Sequence, residues 1–147
     1  MTHRKLLILA VVVAVLVAGA FSSVHASILP PRVKMLRLLN QTRRSHGLPV
    51  FRLNLYVSRY GGQHSRQMAE QNRLFHSVNL YRAVRPYRPS AWGENVGAAG
   101  SLTRARTLWM QSAGHRANIL RGRYRRIGIG VRQARGLVWV TTIFYGR

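Results

Sequence analysis

Only two side chains in this sequence carry a carboxylate, Glu70 and Glu94, although 24 residues are Lys or Arg. The imbalance gives a formal net charge of +22 and limits the sites that the fold can contain. An acid pair of the glycosidase type could be built only from these two glutamates. Calcium loops and two-metal sites that need several aspartates are excluded. A Ser-His-Asp triad is also excluded, because the chain has no Asp, whereas a Ser-His-Glu version remains formally available.

The chain also lacks cysteine. This excludes disulfides, thiolate zinc sites, iron-sulfur clusters and thiol nucleophiles. Of the 147 residues, 47% are apolar, which indicates a globular protein rather than a disordered one. The length predicts a single domain, whose core must hold together without covalent cross-links.

The N-terminal residues have the pattern of a secretory signal peptide. Arg4 and Lys5 precede the uncharged residues 6–21, and small residues follow up to Ala26. The pattern predicts a signal peptide at residues 1–26, with cleavage after Ala26, followed by one domain at residues 27–147. An uncleaved anchor is the alternative, although the apolar run is shorter than the ~20 residues of a spanning helix. We therefore expect a secreted or extracytoplasmic protein, in the periplasm or the cell envelope.

Hydrophobic periodicity predicts three helices followed by a β-hairpin. The first helix begins at Pro30 and ends before Gly47, the second runs from the cap at Asn54 to about Arg73, and the third is capped by Ser101. The inward residues of the third helix are predicted to be Leu102, Ala105, Leu108 and Trp109. Residues 79–92 predict a loop, and residues 126–133 and 137–145 alternate as two strands joined by a turn. This order predicts an α+β fold.

Three motifs occur in a fixed order along the chain. They are Phe75-His76-Ser77, Trp92-Gly93-Glu94-Asn95, and the run from Trp109 to Leu120 that contains Ser112-Ala113-Gly114-His115-Arg116-Ala117-Asn118. Over about residues 33–145 the chain resembles the short bacterial members of the CAP superfamily, also called the SCP domain family. The resemblance implies a single-domain α-β-α sandwich with a central antiparallel sheet. Part of that sheet would come from strands around residues 93–96.

The same resemblance implies a cleft lined by two histidines and two glutamates, which holds a divalent metal in some family members. His76 and His115 match the histidine positions and Glu94 the first glutamate, whereas Ser112 stands at the second. The cleft residues are therefore expected to be His76, Glu94, Asn95, Ser112 and His115. His76, Glu94 and His115 could ligate zinc weakly, because the positive surroundings repel dications, and no cofactor is required. The alternative is a buried polar network in which Glu94 accepts hydrogen bonds from histidine and backbone N–H groups.

Two arginine-rich runs predict a surface that binds polyanions. The residues are Arg121, Arg123, Arg125 and Arg126 around Tyr124, and Arg82, Arg85 and Arg88 near Tyr81 and Tyr87. Guanidinium groups suit phosphates and carboxylates, and interleaved tyrosines can stack on bases or sugars. Outside the cytoplasm the expected partners are anionic lipids and cell-envelope polymers, and extracellular DNA is an alternative that is not favoured.

Three functions are compatible with these features. The favoured one is an exported, monomeric, non-enzymatic binding module. Its cleft would take a small ligand or lipid, and its arginine surface would bind anionic envelope polymers. The first alternative is a metal-dependent hydrolase that uses His76, Glu94 and His115. The second alternative is a secreted cationic protein that binds nucleic acid or acts on a host.

Overall fold

The computed structural model describes residues 29–146, so the predicted signal peptide at residues 1–26 lies outside the described residues. The helices are α1 (Pro31–Ser45), α2 (Leu55–Glu70), α3 (Leu80–Val84), α4 (Leu102–Gln111) and α5 (Ala113–Leu120), with a 3-10 turn at Arg85–Tyr87. The strands are β1 (Arg52–Leu53), β2 (Ala91–Ala99), β3 (Arg126–Ala134) and β4 (Leu137–Gly146). Within this range no helix has the length and apolar character needed to cross a membrane.

The four strands form one sheet in the order β1-β3-β4-β2. The predicted hairpin is confirmed as β3 and β4, which pair antiparallel, and β2 pairs antiparallel with the other side of β4. The two-residue strand β1 departs from the expected antiparallel pattern, because it pairs parallel with β3 through Arg52 and Arg126. The predicted α+β class is confirmed.

Strand β4 shows how helices cover both faces of the sheet. Val140 and Phe144 belong to the core cluster that contains residues of α1, α4 and α5. Ile143, one position away from Phe144, packs instead in a cluster with Val57 of α2. Because successive side chains of a strand point to opposite faces, α2 covers one face and α1, α4 and α5 cover the other. The α-β-α sandwich implied by the resemblance is confirmed.

Helix α2 approaches the sheet closely at a pair of glycines. A Cβ atom added to Gly130 of β3 would lie 2.0 Å from the carbonyl carbon of Gly61 in α2. Two serines of α2 bond to the same strand. The Ser58 hydroxyl accepts from the N–H of Ile129 at 3.0 Å, and the Ser65 hydroxyl donates to the carbonyl of Gly130 at 3.2 Å. These contacts fix the position of α2 along β3.

Arg43, in the last turn of α1, is fully buried although it carries a positive charge. Its guanidinium lies 4.1 Å from the centroid of the Phe51 ring. Four carbonyl oxygens accept its hydrogen bonds at 2.7–3.1 Å, those of Pro49, Ile119, Arg121 and Tyr124. Burial, with a smaller contribution from the charge of Arg125, lowers the pKa of Arg43 to about 10. The group therefore stays protonated at neutral pH and joins α1 to the connection between α5 and β3.

The structure corrects three details of the predicted elements. The predicted loop at residues 79–92 contains α3, which begins where the Asn79 side chain accepts from the N–H of Arg82, as well as the 3-10 turn and the start of β2. Helix α5 was not predicted as a separate element, and the extended backbone of Ser112 separates it from α4. Leu108 is exposed rather than inward, because Leu102, Ala105 and Trp109 already form the buried stripe of α4.

Candidate functional site

Glu94 lies in β2, directly opposite Ile143 of β4, and its side chain is only 3% exposed. One carboxylate oxygen accepts from Nδ1 of His76 at 2.8 Å and from the backbone N–H of Ser77 at 2.9 Å. The other accepts from the Ser77 hydroxyl at 2.5 Å. Glu94 therefore joins the segment after α2 to the edge of the sheet. His76 itself stays largely exposed.

His115 lies on α5, where its Nδ1 is 2.9 Å from the Ser112 hydroxyl. The ring stacks on Trp109, with centroids 6.1 Å apart. Burial lowers the pKa of His115 below its ordinary value, and the nearby His76 lowers it further. The imidazole is therefore neutral at neutral pH. Ser112, where the resemblance implies a glutamate, supplies a hydroxyl to this ring and no charge.

Two asparagines connect α5 to β2. Asn95, which is fully buried, donates to the backbone carbonyl of His115 at 3.0 Å. Asn118 donates to the side-chain oxygen of Asn95 at 2.9 Å and to the backbone carbonyl of Glu94 at 3.1 Å. The close approach requires Gly93, because an added Cβ would lie 2.9 Å from the Asn118 side-chain oxygen. Asn118 was not among the predicted site residues, although its three-residue spacing from His115 places both on one side of a helix.

The predicted metal-ligand set of His76, Glu94 and His115 is not formed. Within residues 29–146, no group of three or more His, Asp or Glu side chains has an arrangement that could hold a metal ion. Glu94 shares the sheet face of Ile143, which packs against α2, whereas α5 packs on the opposite face. Both oxygens of Glu94 are also occupied by His76 and Ser77. Zinc ligation by these three residues therefore stays a prediction.

The serines beside the two histidines do not form a relay either. Ser112 contacts His115, but the carboxylate of Glu94 bonds His76 rather than His115. On the other side, Glu94 lies between Ser77 and His76, so the Ser77 hydroxyl donates to a carboxylate and not to an imidazole. A nucleophile needs its base within hydrogen-bond reach and a third group to orient that base. Neither Ser77 nor Ser112 has both a base within reach and a group that orients that base.

A groove of about 690 Å³ lies between α2 and residues 75–83. Tyr56, Arg59 and Tyr60 line it from α2, and Phe75 and Arg82 line it from the other side. Two bonds hold the second wall in place. The Phe75 carbonyl accepts from Nε2 of His64 at 2.8 Å, and Ser77, also in this wall, bonds to Glu94. Of the arginines predicted to bind polyanions, Arg82 faces this groove.

A second groove, of about 580 Å³, contains two arginines of the first predicted run and none of the second. Pro86, Tyr87 and Pro89 line one side, and Arg125 and Arg126 line the other. A third groove, of about 350 Å³, shares Arg125 and Arg126 and adds Arg52. Arg52 was not predicted, because only its pairing with Arg126 across β1 and β3 brings it here. The remaining predicted residues are exposed and line none of these three grooves: Arg85, Arg88, Arg121 and Arg123.

The two carboxylate side chains leave almost all of the arginine charge uncompensated. Glu70 forms an exposed ion pair with Arg66 at 2.7 Å, and Glu94 is used by His76 and Ser77. Within residues 29–146, Arg66 is the one arginine whose guanidinium bonds a carboxylate side chain. Arg43 is stabilised by backbone carbonyls in the interior. Apart from the half-buried Arg106, the other arginines in this range are exposed and present their charge to solvent or to a partner.

Comparison with known proteins gives one family match. Residues 36–144 match the family described as "CAP: Cysteine-rich secretory protein family". The Bacillus subtilis protein YkwD is 28% identical over 134 residues, which cover 86% of this chain and 51% of that protein. The chain thus spans about half the length of the curated relative that it matches.

Solved structures share the fold. An extracellular protein from Bacillus anthracis that contains an SCP domain has a TM-score of 0.67 at 25% identity, over 80% of this chain and 40% of that one. A cysteine-rich secretory protein from Staphylococcus aureus has a TM-score of 0.66 at 18% identity, over 80% of this chain and 39% of that one. An outer surface protein of Borrelia burgdorferi has a TM-score of 0.69 at 12% identity, over 78% and 91% of the two chains.

Proposed function

The chain belongs to the CAP family of cysteine-rich secretory proteins, and we propose that it is an exported, non-enzymatic binding module that attaches to anionic polymers of the cell envelope. The family match confirms the resemblance predicted from the motifs. The proposal concerns what the domain binds, and the grooves and charges of residues 29–146 support it.

The uncompensated arginine charge carries this proposal. The chain has 24 basic residues, and neither of its two carboxylates faces the grooves that contain Arg125 and Arg126. A surface of one sign raises the local concentration of polymers of the other sign and accelerates their association. The guanidinium groups of Arg52, Arg125 and Arg126 suit the carboxylates and phosphates of such polymers.

Location outside the cytoplasm is supported by two independent observations. The similar solved structures include a Bacillus anthracis protein named as extracellular and a Borrelia burgdorferi protein named as an outer surface protein. The N-terminal residues 1–26 have the charged, apolar and small-residue order of a signal peptide. Together they favour an envelope polymer as the anionic partner.

The geometry around Glu94 supports a role in binding rather than in catalysis. Its carboxylate accepts three hydrogen bonds from His76 and Ser77, so it acts as a structural acceptor. The neutral His115 contacts a hydroxyl and an indole ring. The adjacent groove of about 690 Å³ is large enough for a small ligand or for part of a polymer.

A salt series tests the proposal. The purified protein is sedimented with anionic lipid vesicles and with isolated cell-wall fragments, with neutral vesicles as the control. Between about 50 and 500 mM NaCl we expect binding to both anionic partners to fall by more than about tenfold. Binding that ignored ionic strength, or equal binding to neutral vesicles, would contradict the proposal.

A further inference from the structure

Four tyrosines form a row that joins the first groove to the second. The ring centroids of Tyr60 and Tyr56 are 5.5 Å apart, those of Tyr56 and Tyr87 are 6.4 Å apart, and those of Tyr87 and Tyr145 are 5.2 Å apart. Tyr60 and Tyr56 line the first groove, whereas Tyr87 and Tyr145 line the second. The two grooves therefore meet at the contact between Tyr56 and Tyr87, and together they form one aromatic track.

Each ring of the track is held by a rigid element. Tyr56 and Tyr60 are one turn apart on α2, and their hydroxyl oxygens are 3.2 Å apart. Tyr87 ends the 3-10 turn, and Tyr145 lies in β4, where its hydroxyl accepts from the Asn54 side chain at 2.7 Å. Tyr145 is buried, but Tyr56 is 42% exposed at the centre of the row. The rings are thus positioned before any ligand arrives, which reduces the entropy lost on binding.

Cations line both grooves, and Arg85 lies near enough to Tyr56 for its charge to act on the phenol. Arg59 and Arg82 line the first groove, and Arg125 and Arg126 line the second. The track presents phenol rings, and the first groove adds side-chain amides: Gln63, Gln67 and Asn79. The lining therefore combines aromatic faces, neutral hydrogen-bonding groups and a few guanidinium groups.

We propose that the tyrosine track binds a single chain of an anionic polysaccharide. The proposal rests on the proposed function, of which it specifies the partner. Sugar rings offer apolar C–H faces to tyrosine rings, and their hydroxyls suit amide groups. Carboxylates spaced along the chain pair with the arginines of the two grooves. A nucleic acid, which presents a phosphate at every unit, is the alternative occupant that an oligothymidine probe tests.

Three probes separate the sugar contribution from the charge contribution. The first is an oligogalacturonate long enough to span both grooves, the second is an oligoglutamate of equal charge, and the third is oligothymidine. Binding of each is measured by calorimetry at one ionic strength. The variants are Tyr56→Ala, Tyr56→Phe to restore the ring, and Tyr81→Ala as the control. Tyr81 is a similarly exposed tyrosine that contacts Trp92 and lines neither groove.

We expect wild type to bind oligogalacturonate about tenfold more tightly than oligoglutamate, since one stacked ring contributes an effect of this order. Tyr56→Ala should remove most of that preference, whereas Tyr56→Phe and Tyr81→Ala should keep it. If wild type bound oligogalacturonate and oligoglutamate equally, the proposal that the tyrosine track binds a polysaccharide would be overturned. The proposed function would not be affected, because it depends on the salt-dependent binding to wall fragments. If wild type bound oligothymidine more tightly than oligogalacturonate, and Tyr56→Ala lost that binding, the track would be a nucleic-acid site and the polysaccharide proposal would also be overturned. Failure to bind any anionic partner would overturn the proposed function itself.

Discussion

The carboxylate of Glu94 accepts hydrogen bonds from both the backbone N–H and the hydroxyl of Ser77, at 2.9 and 2.5 Å. Ser77 also lines the first groove, so a buried acid in β2 positions part of the wall of a surface groove. One of the two glutamates in the chain thus has a structural role. Its carboxylate bonds no arginine and so does not compensate the arginine charge.

Replacing this acid tests its structural role. In wild type both carboxylate oxygens of Glu94 accept hydrogen bonds. Glu94→Gln replaces one of these oxygens with an amide N–H₂ group, which cannot accept, so at least one buried hydrogen bond is lost. We expect the free energy of unfolding to fall by about 2 kcal/mol, measured by urea denaturation. Glu70→Gln is the matched control, because Glu70 forms only an exposed pair with Arg66. Its effect should be much smaller. Equal effects of the two variants would contradict the role assigned to Glu94.

The glycine contact between α2 and β3 predicts a second stability effect. In Gly130→Ala the new methyl group would overlap the backbone of Gly61, so α2 must move away from the sheet. We expect a loss of about 3 kcal/mol in the free energy of unfolding. Gly122→Ala, where the new Cβ would have no neighbour within 4 Å, should change it little. Normal stability of Gly130→Ala would rule out the close approach.

The burial of Arg43 predicts a third effect on stability. Arg43→Met removes the donors from four carbonyl oxygens of the interior. The buried acceptors left without partners should lower the free energy of unfolding by about 3 kcal/mol. Arg44→Met changes the same charge at the exposed neighbouring position and is the control. Denaturation curves that coincide for the two variants would contradict this account.

Charge variants test which arginines meet the polyanion. Arg125→Gln combined with Arg126→Gln removes the cations shared by the second and third grooves. We expect weaker binding to wall fragments and a shallower salt dependence, by about one unit of log–log slope per lost contact. Arg104→Gln combined with Arg132→Gln removes the same net charge at exposed positions outside those grooves. If both pairs reduced binding equally, only net charge would matter.

His115 predicts a pH dependence of stability. Burial, aided by His76, holds the pKa of His115 below its ordinary value of 6.5. As the pH falls below about 6.5, the unfolded chain takes up a proton that the folded protein does not. Stability should therefore fall from about pH 6.5 down to the folded pKa of His115, and His115→Gln should flatten this decline. Urea midpoints across this range measure it, and identical slopes for wild type and variant would refute it.

The elements with local signals were predictable from the sequence. Asn54 and Ser101 cap their helices through side-chain oxygens that accept from Val57 and Arg104, as their residue types suggest. The hairpin of β3 and β4 follows from the alternating side-chain pattern of residues 126–133 and 137–145. Strand β2 has no such signal of its own, because Gly93 and Gly97 weaken its strand propensity and are needed for close contacts with Asn118 and Trp109.

The candidate site was predictable only in part. His76, Glu94 and His115 follow from the motifs, but the sheet face on which Glu94 lies depends on the register of β2 against β4. A shift of one residue would reverse that face, and no local pattern fixes it. The tyrosine track joins positions far apart in the chain, from α2 to β4, so only the assembled fold brings its rings together.

The anchoring of Arg43 has a consequence for how this protein can change. All four of its acceptors are main-chain oxygens, which every amino acid supplies. The anchoring of the connection between α5 and β3 by Arg43 is therefore independent of the exposed side chains that the connection displays. Evolution or design can exchange those side chains, and with them the choice of polymer, while the scaffold that presents them keeps its shape.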